Sequence, residues 1–304
     1  SMIISEPETS ALSAYTRVEP THYNLHGYRA EVSVSDAAMR AVVGRILADL
    51  ACLEDARPSE AASYALIGDT ERGWSVYANG SPSYQTDNAA DALIALEWHL
   101  VMDMLADRRD LFHVHGASLI APDRSCSLLI VGVSGSGKTT LTLGLMARGF
   151  LAHADDVTLI EPTTLELQTF RRAFHMDDRT RELVGALPAR PTWDFDAAPP
   201  GYFRPPQWAE HSAPVRFILF PTVQSGATPR ITPLSVADAA AALLPFSTTL
   251  ASTPALALAV AGRLTAQAAC CSLVTGDLDM TLDRVVALIG ADNSRAVRTQ
   301  DALQ

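Results

Sequence analysis

Apolar positions recur along the chain with two different spacings, and the switches between them mark out the elements. HYNLHGYRAEVSV, residues 22–34, alternates apolar and polar in the manner of short strands. From Asp36 to Leu50 the spacing lengthens, so that Met39, Val42, Val43, Ile46 and Leu50 share one face of a predicted helix, with Ser35 placed to cap it. SYALIGD and GWSVYANG, joined by the polar turn Asp69 to Gly73, predict a hairpin. A second helix is predicted from Asn88 to Leu105, carrying Leu93, Leu96, Trp98, Leu100 and Met104. LFHVHGASLIA, residues 111–121, returns to alternation and sets Phe112 and Val114 on one face, His113 and His115 on the other.

Leu128 to Val131 is a short apolar strand, followed by a helical pattern through Leu141, Leu143, Leu145 and Met146 that Gly149 stops. Phe150 to His153 starts another strand ending at Asp155-Asp156, and Val157 to Glu161 continues it or returns as its hairpin partner. Farther on, PVRFILFPTV reads as a buried strand, SVADAAAALLPF and PALALAVAGRLTAQAAC as helices, CSLVTG as a short strand and MTLDRVVALIG as the last helix. The pattern predicts an α/β (α+β) chain. It has a disordered N-terminus over 1–20, a small α+β section over 21–110, a main domain over 111–290 and a flexible tail over 291–304.

One long stretch has no period. Between Phe170 and Arg216, prolines and aromatics interleave with Arg171, Arg172, Arg179, Arg181, Arg190 and Arg204. A loop of that length is commonly a lid or binding segment, and guanidinium groups suit phosphate or carboxylate. Arg172 and Arg204, each beside an aromatic or a proline, are the candidates for contact with an acceptor.

Composition narrows the partners. A net charge of −11 on 304 residues argues against nucleic acid or an anionic membrane, either of which calls for a basic face. No apolar run reaches membrane-spanning length, and the opening SMIISEPETS is too acidic and polar for a signal peptide. Cys52, Cys126, Cys270 and Cys271 lack metal-binding spacing and read as thiols in a reducing cytoplasm. His-x-His at 113 and 115 lacks an obvious third ligand, and His26 and His99 read as ordinary surface or packing residues.

The chemistry gathers at residues 132–139. Gly132-Val-Ser-Gly-Ser-Gly137-Lys138-Thr139 is the G-x-x-x-x-G-K-[ST] phosphate loop, set between a strand and a helix as that motif requires. Gly132, Ser134, Gly135, Ser136 and Gly137 would turn backbone N–H groups toward phosphate, with Lys138, Thr139 and Thr140 completing the ATP site. Lys138 would meet the β and γ phosphates, and Thr139 would ligate magnesium. Of the 23 lysines and arginines, Lys138 is the one lysine, so a compact ammonium is kept only where the motif needs it. Asp155 and Asp156 follow within one helix and one strand. On an extended backbone they face opposite ways, which leaves one for the metal and one for an acceptor hydroxyl.

At the His115-Gly116, GxSGxGKT and Asp155-Asp156 positions together, the chain resembles the C-terminal catalytic domain of HPr kinase/phosphorylase, which phosphorylates a serine of the histidine-containing phosphocarrier protein. The resemblance covers roughly residues 111–290 and is specific from His115 to Asp156. It implies a P-loop fold akin to phosphoenolpyruvate carboxykinase, phosphate contacts from Lys138, magnesium at Thr139, and support of the carboxylates by His115. It also implies that Asp155 and Asp156 divide hydroxyl deprotonation and metal contact, written here as Asp155 for the base and Asp156, with Thr139, for the metal. Thr140 stands where the bifunctional enzymes usually have Glu, and their later glycine-rich signature is missing, which counts against reverse phosphorolysis. The N-terminal section instead resembles that of compact HPr-kinase-like proteins encoded with peptide-maturation genes, including kinases of lasso-peptide precursors. The expectation is an ATP- and magnesium-dependent cytoplasmic kinase of a serine-type hydroxyl on a peptide or small protein, as monomer or homo-oligomer. The alternatives are a small-molecule hydroxyl kinase and a non-catalytic ATP-sensing module.

Overall fold

The computed structural model describes residues 19–52, 61–188 and 193–301. Nearly all of the predicted disordered N-terminus, and Arg190, lie outside the described residues. The chain divides into two compact units between Arg108 and Arg109. Among the described residues it is a mixed α/β protein with three sheets and eight α-helices.

In the first unit, β1 (Thr21–Leu25), β2 (Tyr28–Val34), β3 (Ala62–Asp69), β4 (Gly73–Ala78) and β5 (Ser81–Thr86) lie side by side in that order. All neighbours are antiparallel except β2 and β3. Helix α1 (Ala37–Ile46) follows β2, and its cap is Asp36 rather than Ser35. The Asp36 carboxylate accepts from Met39 N at 2.7 Å, whereas the Ser35 hydroxyl is engaged with the backbone of Gly68. Helix α2 (Ala89–Asp107) buries Leu93, Leu96, Leu100 and Met104, but Trp98, expected beside them, is 57% exposed. β5 went unpredicted because its sequence, SPSYQT, is exposed almost throughout and has no alternation to read.

The second unit is built on an eight-stranded sheet. Its order is β10 (Leu167–Gln168), β9 (Val157–Ile160), β6 (Phe112–Ile120), β7 (Ser127–Val131), β13 (Val215–Val223), β15 (Ala269–Thr275) and β14 (Arg230–Pro233), with β8 (Leu151–Ala154) also paired to β6. β7, β13 and β15 run parallel, while β6 is antiparallel to β7, β8 and β9. Alternation along β7 feeds two separate cores. Leu128 and Ile130 pack with α3 (Lys138–Ala147) and α8 (Leu278–Asp301), and Leu129 and Val131 pack with α5 (Val236–Leu243) and α7 (Pro254–Gln267). All four side chains are fully buried, each stabilising the unit by about 1.5–3 kcal/mol.

Two expectations are corrected here. The aperiodic stretch after Phe170 is not an open loop. It contains β11 (Phe174–His175), α4 (Asp178–Gly185) and β12 (Tyr202–Phe203), and β11 pairs with β12. Its aromatics pack on one another, Phe203 lying 6.0 Å from Phe174 and 5.1 Å from Trp193, ring centre to ring centre. Single aromatics spaced by turns hold this segment, so no period betrays them. Helix α8 also runs past Gly290 to Asp301, through most of the predicted tail; one glycine costs a helix only about 1 kcal/mol.

Gly116 sits where β6 crosses the end of β7, and a Cβ there would fall 2.6 Å from Ile130 O. That neighbour is backbone and cannot rotate away. Gly116→Ala should therefore lower unfolding stability by about 1–3 kcal/mol, read as a reduced urea midpoint; an unchanged midpoint would show that the strands part freely.

Candidate active site

β7 ends at Val131 and the chain turns through Gly132 to Gly137 into α3. Gly135 and Gly137 hold φ of +77° and +87°, the left-handed region in which a side chain is strained. Gly137 is also the N-cap of α3 and offers no side-chain acceptor, so the first N–H groups of the helix keep their donors for an anion. Ser136 Oγ is buried without a hydrogen-bond partner among the described residues, and a Cβ on Gly132 would come within 2.7 Å of it.

Lys138 is nearly buried. Its Nζ donates to Gly132 O at 2.7 Å and Val133 O at 3.0 Å, which spends two of its three protons and fixes the direction of the third. Burial pulls the ammonium pKa down, and Asp156 and Asp155 oppose that shift.

The two carboxylates are handled differently. Thr139 Oγ1 donates to Asp155 Oδ2 at 3.0 Å, while Asp155 Oδ1 is buried without a partner among the described residues. Burial, followed by the neighbouring charge of Asp156, pushes the Asp155 carboxyl up to about 6, against the opposing Thr139 hydrogen bond, Arg172 and Lys138. Asp156 has φ +69°, so the backbone is not extended there, and its side chain is 42% exposed. Its Oδ1 lies 3.2 Å from His115 Nδ1, and its Oδ2 accepts from Arg172 Nη2 at 3.1 Å. The buried Arg172 in turn donates from Nη1 to His175 Nε2 at 3.2 Å, which places the imidazole proton of His175 on Nδ1.

Lys138, Thr139, Asp155, Asp156, His115 and Arg172 thus form one connected group. The pair in contact is Thr139 with Asp155, where the sequence reading paired Thr139 with Asp156. Ser134 is exposed on the loop, Thr140 exchanges a hydrogen bond with the Thr180 hydroxyl at 2.8 Å, and Arg204 is exposed just past β12. His175 was missed; one histidine in an aperiodic stretch carries no signal until β11 sets it beside Arg172. His113 is buried, its backbone N–H donating at 2.9 Å to Oγ1 of Thr249, the first residue of the short helix α6 (Thr249–Ser252).

Among the described residues, no group of three or more His, Cys, Asp or Glu could hold a metal ion. The Thr139 hydroxyl and the Asp155 carboxylate with its unclaimed oxygen nevertheless form a hard, all-oxygen pair. Magnesium, which keeps several waters and leans on phosphate, suits such a sparse donor set. No protein-family model matches the chain, and no curated protein matches it.

Asp155 binds a proton more tightly folded than unfolded, so the folded chain holds more protons between pH 4 and 6 and loses stability as pH rises through that window. Without metal, Asp155→Asn should raise stability at pH 7 by on the order of 2 kcal/mol and change it far less at pH 4. Thermal unfolding of both proteins in chelator at the two pH values checks this, and an equal effect at both would show that the Asp155 carboxyl is not perturbed.

Proposed function

We propose that the chain is an ATP- and magnesium-dependent kinase with an HPr-kinase-like P-loop fold, transferring the γ-phosphoryl group to a serine-type hydroxyl of a peptide or small protein in the cytoplasm. The observation that carries the reading is the pairing of a preorganised phosphate loop with a half-exposed carboxylate, Asp156, clamped between His115 and Arg172. A module that only binds nucleotide has no use for an aimed carboxylate at the mouth of its loop. The acceptor class rests on the resemblance at His115-Gly116, residues 132–139 and Asp155-Asp156.

In this mechanism the loop N–H groups and the third proton of Lys138 hold the β and γ phosphates and take up the charge that develops on transfer. Asp156 accepts the proton of the acceptor hydroxyl as that oxygen bonds to phosphorus and the bond from the γ phosphorus to the β,γ-bridging oxygen breaks, releasing ADP. His115 and Arg172 keep the Asp156 carboxylate turned toward the acceptor. Thr139 and Asp155 would hold magnesium, which supplies charge neutralisation on the phosphates. Asp155, buried and bonded to Thr139, suits the metal side, and Asp156, exposed and braced, suits the hydroxyl side. This division reverses the one written from sequence.

Asp156→Asn should lower acceptor-dependent ADP release by about 10²–10⁴-fold while sparing MgATP binding. Asp155→Asn should instead raise the magnesium concentration needed for half-maximal rate. The opposite pattern would exchange the two roles, and wild-type rates in both would remove the pair from the mechanism.

Lys138→Ala removes the phosphate contact and strips two loop carbonyls of their donor. It should abolish turnover and weaken MgATP binding at least tenfold, with the far-ultraviolet spectrum retained. Unchanged turnover in the folded variant would defeat the phosphate-loop assignment.

A further inference from the structure

Arg172 reaches Asp156 from a place that two very short strands build. β11 and β12 meet in antiparallel register, Phe174 opposite Phe203 and His175 opposite Tyr202. Alternation turns one pair to each face. Phe174 and Phe203 go into the core that α3 and α8 share, where Trp208 lies 5.8 Å from Phe174, ring centre to ring centre. His175 and Tyr202 take the other face, their rings 4.7 Å apart. One further bond, from Met176 N to Gly201 O at 2.9 Å, extends the pairing past His175, and Gly201 turns the chain into β12 at φ +85°. The imidazole is thus held through its backbone and against its ring face, and Arg172 meets it there.

A guanidinium carries its donors in a rigid planar fork, so holding one arm directs the other. Nη1 of Arg172 ends on His175 Nε2, and Nη2 ends on Asp156 Oδ2. The Arg172 side chain is only 6% exposed, which leaves little room for water to replace the imidazole as acceptor. Asp156 is 42% exposed, so its direction comes from its partners rather than from packing. His115 holds Oδ1 from β6, and the chain from His175 through Arg172 holds Oδ2 from the opposite segment.

Resting on the kinase reading above, we propose that His175 is a positioning residue for phosphoryl transfer: it aims the Arg172 fork, and the fork sets the direction of the Asp156 carboxylate. The rival role is packing alone, since the same ring lies against Tyr202. His175→Phe separates the two, because it keeps a ring there and removes the acceptor. With MgATP and an equimolar library of serine peptides as acceptor, His175→Phe in the full chain should lower kcat for ADP release about tenfold and leave the KM for MgATP within about twofold. His175→Gln, whose Oε1 can accept from the same arm, should return kcat to within about threefold of wild type. In Asp156→Asn, where no carboxylate is left to aim, His175→Phe should lower the residual rate by less than about twofold. Wild-type kcat in His175→Phe, a His175→Gln as slow as His175→Phe, or the same fractional loss with and without the Asp156 carboxylate would overturn the positioning role while the kinase reading stands. A wild type that releases no ADP, or whose rate Asp156→Asn leaves unchanged, would defeat the kinase reading and the positioning role with it.

Discussion

The site depends on the close approach of backbones at Gly116. Its N–H donates to Asp156 O at 3.0 Å, its carbonyl accepts from the Thr158 hydroxyl at 2.9 Å, and the absence of a side chain lets Ile130 O come near. One residue thus ties the strand that feeds the phosphate loop to the turn that bears both carboxylates. His115, the preceding residue, is delivered onto Asp156 by the same crossing. A side chain at position 116 would push these parts away from one another together, because no flexible group lies between them.

Around that junction the sequence places two adjacent carboxylates in different media. Asp155, itself buried, accepts from the half-buried Thr139 hydroxyl and shares its neighbourhood with a lysine. Asp156 is turned outward by a left-handed backbone angle, and two side chains from different elements hold it. Environment rather than residue type separates the two carboxylates and the roles proposed for them, as expected when desolvation and hydrogen bonding act on like groups.

How much of this was legible follows from how far each signal reaches along the chain. The phosphate loop is local: strand, glycines and helix are contiguous, so residues 128–146 could be read directly. Asp155 and Asp156 were visible as a pair, but the division of labour proposed for them was not. It turns on which of them Thr139 meets across 16 positions, and on a backbone angle at Asp156 that alternation cannot supply. Arg172 was picked from a run of arginines on its neighbours alone, whereas His175 and the folding of its surroundings depend on aromatics that meet from Phe174, Trp193 and Phe203. Edge strands such as β5, and β11 and β12 with two residues each, bury too little in a regular pattern to announce themselves.

The solitary lysine has a chemical consequence of its own. The other twenty-two of the 23 lysines and arginines are guanidinium groups and the histidines carry imidazoles, so Lys138, buried in the loop, is the only side-chain amine in the chain. Burial pulls its ammonium pKa down, and the same burial screens it from reagents. The exterior therefore offers no ε-amino group to acylating agents or to enzymes that attach tags to lysine. Whatever amine chemistry this protein undergoes at a side chain is confined to a single position, where it would register how the loop is occupied.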